Sequence, residues 1–175
     1  MDIALTGTPG TGKTSVANIL KRALPDFNVV HLNEFLIDKK LYEGRDEKRD
    51  SYMVDVDRLR KEVKRYFKSK EDLIFEGHLS HYLDADLVIV LRTNPKILKK
   101  RLESKGYSKE KVRENVEAEA LDVILIESLE IHEGKVREIN TTNISVLDAA
   151  GKVKDIIMGR GDYEPGKIDW SEDFF

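Results

Sequence analysis

Short apolar runs alternate with longer amphipathic segments along most of this 175-residue chain. The runs have the length of buried strands, whereas the segments between them repeat apolar side chains every three or four residues, as helices do. Strands that alternate with helices predict an α/β fold with helices on both faces of a parallel sheet. Five strands are predicted: Ile3–Thr6, Asn28–Leu32, Leu73–Glu76, Leu87–Leu91 and Lys135–Ile139.

Capping residues predict where several helices begin. Asn94, Ser108 and Ser145 each stand where a side-chain oxygen can accept a bond from the first helical turn. The Ser108 helix is predicted to continue as far as Val123, because apolar side chains recur along it. The Ser145 helix is predicted to end at Gly159. A charged amphipathic helix is predicted over 55–70, and the predicted buried stripe of the last helix is Val146, Ala150, Val153 and Ile157.

The last residues, 159–175, lack helical and strand periodicity, which predicts an irregular tail. Three aromatic side chains lie in it: Trp170, Phe174 and Phe175. They can fold back into an apolar groove or anchor a partner, and we favour folding back. The length of the chain and the lack of a linker predict one domain over residues 1–175.

The segment after the first predicted strand, Gly7–Thr14, has the complete phosphate-loop pattern G-x-x-x-x-G-K-T. Its glycines let backbone N–H groups approach phosphate oxygens where a Cβ would collide. Lys13 brings positive charge to the β- and γ-phosphates, and the Thr14 hydroxyl can ligate Mg²⁺. The helix that follows directs its N-terminus at the phosphates. The sequence therefore predicts binding of a nucleoside triphosphate with Mg²⁺.

A second candidate position follows the third predicted strand. Glu76 ends that apolar run, and Gly77 and His78 come directly after it. In parallel-sheet nucleotide-binding proteins the reacting groups collect at the carboxyl ends of strands. Glu76 is therefore predicted to hold Mg²⁺ directly or through water, and His78 to contact a phosphate or orient water. The alternative is that Glu76 is a surface acid and His78 an ordinary loop residue.

Composition narrows the classes of function. Lys+Arg 30 and Asp+Glu 33 nearly cancel, so the chain is not basic overall, as many nucleic-acid-binding proteins are. The absence of cysteine excludes disulfides, thiolate catalysis and cysteine-bound zinc. No apolar run approaches the ~18 residues of a membrane span, and the first strand leaves no room for a signal peptide. A cytoplasmic protein that does not bind membranes is expected.

Five segments resemble, in this order, the adenylate kinase isoenzyme six family of small nucleoside monophosphate kinases. They are TGTPGTGKTS, LYEGRDE, VDVDRL, EGHL and VLRTNPKILKKRLESKGYSKEKVRENVEAE. The resemblance implies an adenylate-kinase-like five-stranded sheet, a monophosphate-binding segment near residues 33–55 and a short lid near residues 104–114. It also implies use of ATP–Mg²⁺, broad acceptor specificity with a preference for AMP-type acceptors, and an intrinsic ATPase. A monomer is expected. Eukaryotic members further act in small-ribosomal-subunit maturation, which implies a small-subunit ribosomal protein and a ribosomal RNA precursor as partners.

The resemblance carries over to individual donor-side residues. Glu76 and His78 occupy the family's Asp-x-His motif, with glutamate in place of the usual aspartate, so water-mediated Mg²⁺ contact is favoured over direct ligation. Lys105 stands where the lid usually has an ATP-contacting arginine, and it keeps the charge but loses the bidentate fork. Arg101 matches, and is expected to stabilise the transferring phosphoryl group. The residues that match ATP-phosphate contacts are Gly10, Gly12, Lys13, Thr14 and Ser15.

The remaining matches concern the adenine base and the acceptor. Thr142 and Asn143 follow the last strand, where these kinases usually hold adenine. Asp55 and Asp57 match an acidic D-x-D near the acceptor site; they either position the acceptor or cap the following helix. The pair Asn33-Glu34 replaces a typical Gly-Asp pair, and residues 45–49 are unusually basic, which leaves the acceptor open.

Three functions stay open from the sequence. The first is an ATP–Mg²⁺-dependent nucleoside monophosphate kinase that prefers AMP, with a slow ATPase. The second is a nucleotide-switched ATPase that assists small-subunit assembly, with the tail or the basic residues 45–49 contacting the partner. The third is a kinase for a small-molecule hydroxyl, in which Asp55 or Asp57 would act as general base.

Overall fold

The computed structural model describes residues 1–46, 51–67 and 71–174. Within them the chain forms strands and helices in alternation, as the hydrophobic pattern predicts. The strands are β1 (Asp2–Thr6), β2 (Phe27–His31), β3 (Tyr42–Asp46), β4 (Ser51–Val54), β5 (Asp72–Glu76), β6 (Leu87–Arg92) and β7 (Val136–Asn140). The helices are α1 (Lys13–Ala23), α2 (Leu32–Asp38), α3 (Val56–Tyr66), α4 (Pro95–Ser104), α5 (Lys109–Ala120), α6 (Val123–Ile131), α7 (Val146–Ile157) and α8 (Ser171–Phe174), with a 3₁₀ turn at Ser80–Tyr82.

Five parallel strands form the central sheet in the order β2-β5-β1-β6-β7. The five predicted strands are therefore confirmed, with bounds that differ by at most one residue at either end. β1 lies in the middle, with Leu5 in register with Glu76 of β5 and with Ile89 of β6. Because parallel strands end at the same edge of a sheet, this register brings the residues after β1 beside Glu76.

Helices cover both faces of the sheet. On one face α1 and α7 pack against side chains of β1 and β6, and on the other α2, α3 and α6 cover the sheet. Each central strand is thus buried on both sides, which explains its continuous apolar run. The first of these clusters includes Ile3, Leu5, Val16, Ala17, Leu20, Ile89, Leu91, Ala150 and Val153.

The antiparallel pair of β3 and β4 was not predicted. Its strands pair from Tyr42 with Val54 to Asp46 with Ser51, and they lie inside the predicted monophosphate-binding segment. Their residues are mostly polar and do not form a continuous apolar run, so the hydrophobic pattern does not mark them. The predicted basic stretch 45–49 falls largely outside the described residues, as do residues 68–70 of the predicted 55–70 helix.

Two predictions about the later helices were wrong in detail. The helix capped by Ser108 does not continue to Val123, because Asp122 adopts a left-handed conformation with φ 56° and starts α6 as a separate helix. In α7 the first-turn Val146 is 43% exposed. The stripe that packs on the sheet is Ala149, Ala150, Val153 and Ile156.

The tail folds back onto the domain, as favoured from the sequence. Trp170 is 7% exposed, and the short α8 follows it. Phe175, which was also expected to fold back, lies outside the described residues. Every helix in the described part of the chain is too short or too polar to cross a lipid bilayer.

Candidate active site

The loop between β1 and α1 wraps tightly against the sheet. Gly7, Gly10 and Gly12 have φ of 137°, 93° and 99°, conformations that side chains with a Cβ rarely adopt. At Gly7 a Cβ would also lie 2.4 Å from the main-chain oxygen of Leu91. The glycines of the motif are therefore required by the path of the backbone itself, before any ligand is considered.

The side chain of Lys13 is held over this loop by main-chain oxygens of the loop. Its Nζ donates to the carbonyl oxygens of Gly7 at 2.7 Å and Thr8 at 3.0 Å. The side chain is buried, and burial lowers the pKa of Lys13 to about 8, although the negative charges of Glu76 and Glu119 oppose the shift. A cation at this position lies where the loop can present it to phosphate oxygens.

Thr14 and Glu76 meet across the carboxyl edge of the sheet. Thr14 Oγ1 donates to Glu76 Oε1 at 3.0 Å, and His31 Nδ1 lies 2.8 Å from Glu76 Oε2. Thr14 and Glu76, each predicted to hold Mg²⁺, thus lie within hydrogen-bond distance of each other. Hydroxyl and carboxylate oxygens are ligands that Mg²⁺ accepts, and Mg²⁺ bound with nucleotides usually takes only one or two protein groups. The donor set fits this ion, with Thr14 and Glu76 as the residues that would hold it.

His78 follows Glu76 by two residues and lines the same cavity. Burial lowers its pKa to about 4, and the positive charges of Lys13, His81 and Lys111 act in the same direction. Its imidazole is therefore neutral at pH 7. A neutral ring cannot offset phosphate charge, but it can donate or accept one hydrogen bond, as orientation of a water or an oxygen requires.

A cavity of about 490 Å³ opens beside the loop and has three walls. The phosphate loop and β5 form the first, with Gly10, Gly12, Lys13, Thr14, Ser15, Glu76 and His78. The second comes from α2 and the β3–β4 pair, with Asn33, Leu36, Ile37, Tyr42 and Val54. The third comes from the end of α4 and from α5, with Lys105, Tyr107, Lys111, Glu114 and Asn115.

Some residues that line the cavity or contact Glu76 were not predicted from the sequence. His31 ends β2 and lies beside Glu76 because β2 pairs in register with β5. The sequence around His31 does not indicate this pairing. Lys111, Glu114 and Asn115 follow helical spacing along one side of α5, which is the one signal that could have indicated a common wall. Nothing in their local sequence says what that wall faces.

Arg101 is not among the residues that line the cavity, and its contact with the transferring phosphoryl group stays a prediction. Its two terminal nitrogens donate to main-chain oxygens of Gly10 at 3.4 Å, Thr141 at 3.0 Å and Thr142 at 3.3 Å. It also donates to Thr93 Oγ1 at 3.3 Å. Arg101 thus links the phosphate loop to the segment after β7.

The predicted adenine-binding residues lie on that segment, away from the cavity. Thr142 Oγ1 accepts from the main-chain N–H of Asn94 at 2.9 Å, and Asn143 is exposed. Because Arg101 donates to the carbonyl oxygens of both Thr142 and Gly10, the segment borders the phosphate loop. A role for Thr142 and Asn143 at the base stays a prediction.

Asp55 caps a helix, which was one of its two predicted roles. Its Oδ1 accepts from the main-chain N–H of Arg58 at 3.0 Å and so closes the first turn of α3. Asp57 is 81% exposed and lies 3.8 Å from Arg60. Both carboxylates lie outside the cavity, so this arrangement gives neither of them contact with an acceptor there.

A family model described as an AAA domain matches residues 3–122. A protein of Methanosarcina barkeri named "Putative adenylate kinase" is 47% identical, over 97% of both chains. Proteins with the same name from Methanocaldococcus jannaschii and Methanococcus maripaludis are 42% and 46% identical, over all of this chain and 96% and 98% of theirs. The chain belongs to this adenylate-kinase-like family. The resemblance found in the sequence motifs is confirmed.

One solved structure extends the comparison to the fold of this chain. A deoxyadenosine kinase from M. mycoides, solved with dCMP and dCDP, matches with a TM-score of 0.61 at 16% identity. The match covers 91% of this chain and all of the other. At this identity the likeness concerns the fold alone, and it confirms the predicted α/β phosphate-loop kinase fold.

Proposed function

We propose that this protein is an ATP-dependent nucleoside monophosphate kinase that uses Mg²⁺ and accepts AMP. One observation carries the proposal: the cavity joins the phosphate loop to two further walls, which coincide with the segments expected to bind the monophosphate and to form the lid. The phosphate loop provides for the phosphates of one nucleotide, so the two further walls can serve a second nucleotide. The names of the archaeal relatives support the same reaction class.

The proposed reaction suits the side chains of the cavity. When one phosphate attacks another, the acceptor oxygen is already an anion, so the protein needs no general base and acts by positioning and charge neutralisation. Lys13 and Lys105 provide cationic nitrogens on two of the walls. Bound Mg²⁺ would offset charge on the phosphates, with Thr14 and Glu76 as its protein ligands. Asp55, which caps α3, and the exposed Asp57 do not favour a hydroxyl kinase that depends on either as base.

A slow ATPase is the expected side reaction. The neutral imidazole of His78 lies on the wall that carries Lys13 and Glu76, where it can orient water towards a terminal phosphate. The assembly role with a small-subunit ribosomal protein and a ribosomal RNA precursor, the cytoplasmic location and the monomeric state stay predictions from the sequence.

The decisive experiment measures ADP formation from ATP–Mg²⁺ with a panel of acceptors: AMP, other nucleoside monophosphates, shikimate-like alcohols and no acceptor. We expect AMP to accelerate ADP formation strongly and Lys13→Ala to abolish both this reaction and the ATPase. Acceleration by ribosomal protein or RNA but not by any monophosphate would support the assembly ATPase instead. Full activity of Lys13→Ala would overturn the assignment of the site.

A further inference from the structure

Glu119, at the C-terminal end of α5, is a buried carboxylate that touches the phosphate loop. It is 2% exposed, and its Oε2 accepts from Thr8 Oγ1 at 2.6 Å. Its Oε1 accepts from Arg92 Nε at 2.9 Å and from the main-chain N–H of Thr93 at 3.0 Å. Thr8 lies between the glycines of the loop, so Glu119 anchors the loop to α5. Other residues of α5 line the cavity.

The fourth donor to Glu119 comes from the C-terminal tail. Trp170 Nε1 donates to Glu119 Oε1 at 3.3 Å, and the indole ring lies 6.0 Å from the guanidinium of Arg92. Trp170 is thus two hydrogen bonds away from Thr8, although the two are 162 positions apart in the sequence. A buried carboxylate depends on all of its donors, because no water replaces one that is lost.

The tail is fastened beside this contact by main-chain bonds. Glu138 Oε1 accepts from the N–H groups of Lys167 at 2.8 Å and Ile168 at 3.2 Å, and the Glu138 N–H donates to the carbonyl of Tyr163 at 3.0 Å. The other oxygen of Glu138 accepts from Arg92 at 3.2 Å. The tail therefore reaches Trp170 along an ordered path, and Arg92 connects both of its attachment points.

We propose that Glu119 and Trp170 are positioning residues for the phosphate loop, and that Trp170 senses occupation of the loop through Glu119 and Thr8. The proposal rests on the proposed function only in that ATP is taken as the ligand of the loop. A nucleotide that reorients the loop must shift Thr8, and the shift passes to the indole through one shared carboxylate. The tail is then a working part of the nucleotide site and not an accessory segment.

The chain itself provides the reporter, because Trp170 is its one tryptophan. We expect ATP–Mg²⁺ to change the tryptophan emission in a saturable way, with the same Kd that calorimetry gives. Thr8→Val, which removes the hydroxyl but keeps the branched shape, should reduce the change at saturation at least about fivefold. Thr8→Ser, which keeps the hydroxyl, should retain it. An unchanged signal in Thr8→Val, or no signal in the saturated wild type, would overturn the proposal.

Trp170→Phe tests the positioning role directly, because it removes the indole N–H that donates to Glu119 and keeps a smaller aromatic ring in its place. We expect the KM for ATP to rise about fivefold with kcat changed less than about twofold. The control Asp162→Asn, on the same segment and exposed, should leave both constants unchanged. An unaltered KM in folded Trp170→Phe would overturn the role of the tail. If Trp170→Phe does not fold, the Thr8 pair decides alone. Loss of phosphotransfer to all monophosphates, with ATP binding and emission change intact, would reject the proposed function and leave this inference standing.

Discussion

His31 Nδ1 lies 2.8 Å from Glu76 Oε2, on the side of the carboxylate opposite to the oxygen that accepts from Thr14. The glutamate is one methylene longer than the aspartate expected at this position, and a longer side chain has more rotamers to choose from. The contacts on its two oxygens restrict this freedom and keep Glu76 beside the phosphate loop. His31 therefore helps to fix the rotamer of Glu76.

This relationship predicts the effect of changing His31. In His31→Ala we expect the Mg²⁺ concentration for half-maximal activity to rise about tenfold, since loss of a residue that orients a metal ligand typically weakens metal affinity to this extent. His31→Asn can place an amide nitrogen near the former Nδ1 and should recover most of the loss. Calorimetry of ATP binding with and without Mg²⁺ gives a second measure. Equal Mg²⁺ dependence in wild type and His31→Ala would contradict the role.

Arg101 is predicted to stabilise the fold by linking the phosphate loop to the segment after β7. Arg101→Lys keeps the charge but loses most of the four hydrogen bonds, so the free energy of unfolding should fall by about 1–3 kcal/mol. The control Arg113→Lys, at an exposed pair with Glu117, should change it by less than about 0.5 kcal/mol. Urea denaturation measures both. A clamp on the phosphoryl group would instead lower kcat by about 100-fold or more and leave stability unchanged.

Arg92 is predicted to be essential for stability. It is 1% exposed and donates to Glu119, Glu138 and Asp122. Arg92→Met would leave buried carboxylates without their cation, at a cost of about 3–5 kcal/mol. Arg137→Met is the matched control, because its pair with Glu164 is half exposed and should contribute no more than about 1 kcal/mol. Similar losses in the two variants, measured by urea denaturation, would show that burial of the Arg92 network does not matter.

The burial of His81 is expected to make the stability of the fold depend on pH. Its ring is buried between Thr6 and Glu127, and burial lowers its pKa below 6.5 despite the opposing charge of Glu127, with His132 acting in the same direction as burial. Below pH 6.5 the unfolded chain therefore binds a proton that the folded chain resists, so stability falls as the pH falls. His81→Gln keeps a donor for Glu127 and cannot titrate. It should reduce this slope by up to about 1.4 kcal/mol per pH unit, measured by urea denaturation across pH 5–7. An unchanged slope would argue against it.

Much of the fold follows from local sequence patterns. A buried parallel strand needs a continuous apolar run, and the five runs before and after the phosphate loop are the five strands of the sheet. The predicted caps at Asn94, Ser108 and Ser145 are also present. Each depends on a local contact, because the side chain accepts a hydrogen bond from a main-chain N–H two or three positions away. The β3–β4 pair was missed because polar strands of this kind lack that signal.

The sequence alone determined the phosphate loop, the strands and the placement of Thr14 and Glu76 at one edge of the sheet, because each depends on neighbouring residues or on the shared direction of parallel strands. Only the tertiary structure decided which distant side chains complete the site. His31 meets Glu76 across 45 residues, and Glu119 meets Thr8 across 111. The tertiary structure also joins Arg101 to the main chain of Thr141. It ends α5 two residues before Asp122, which pairs with Arg92. Such contacts depend on how helices pack against a sheet, and local preferences do not encode that packing.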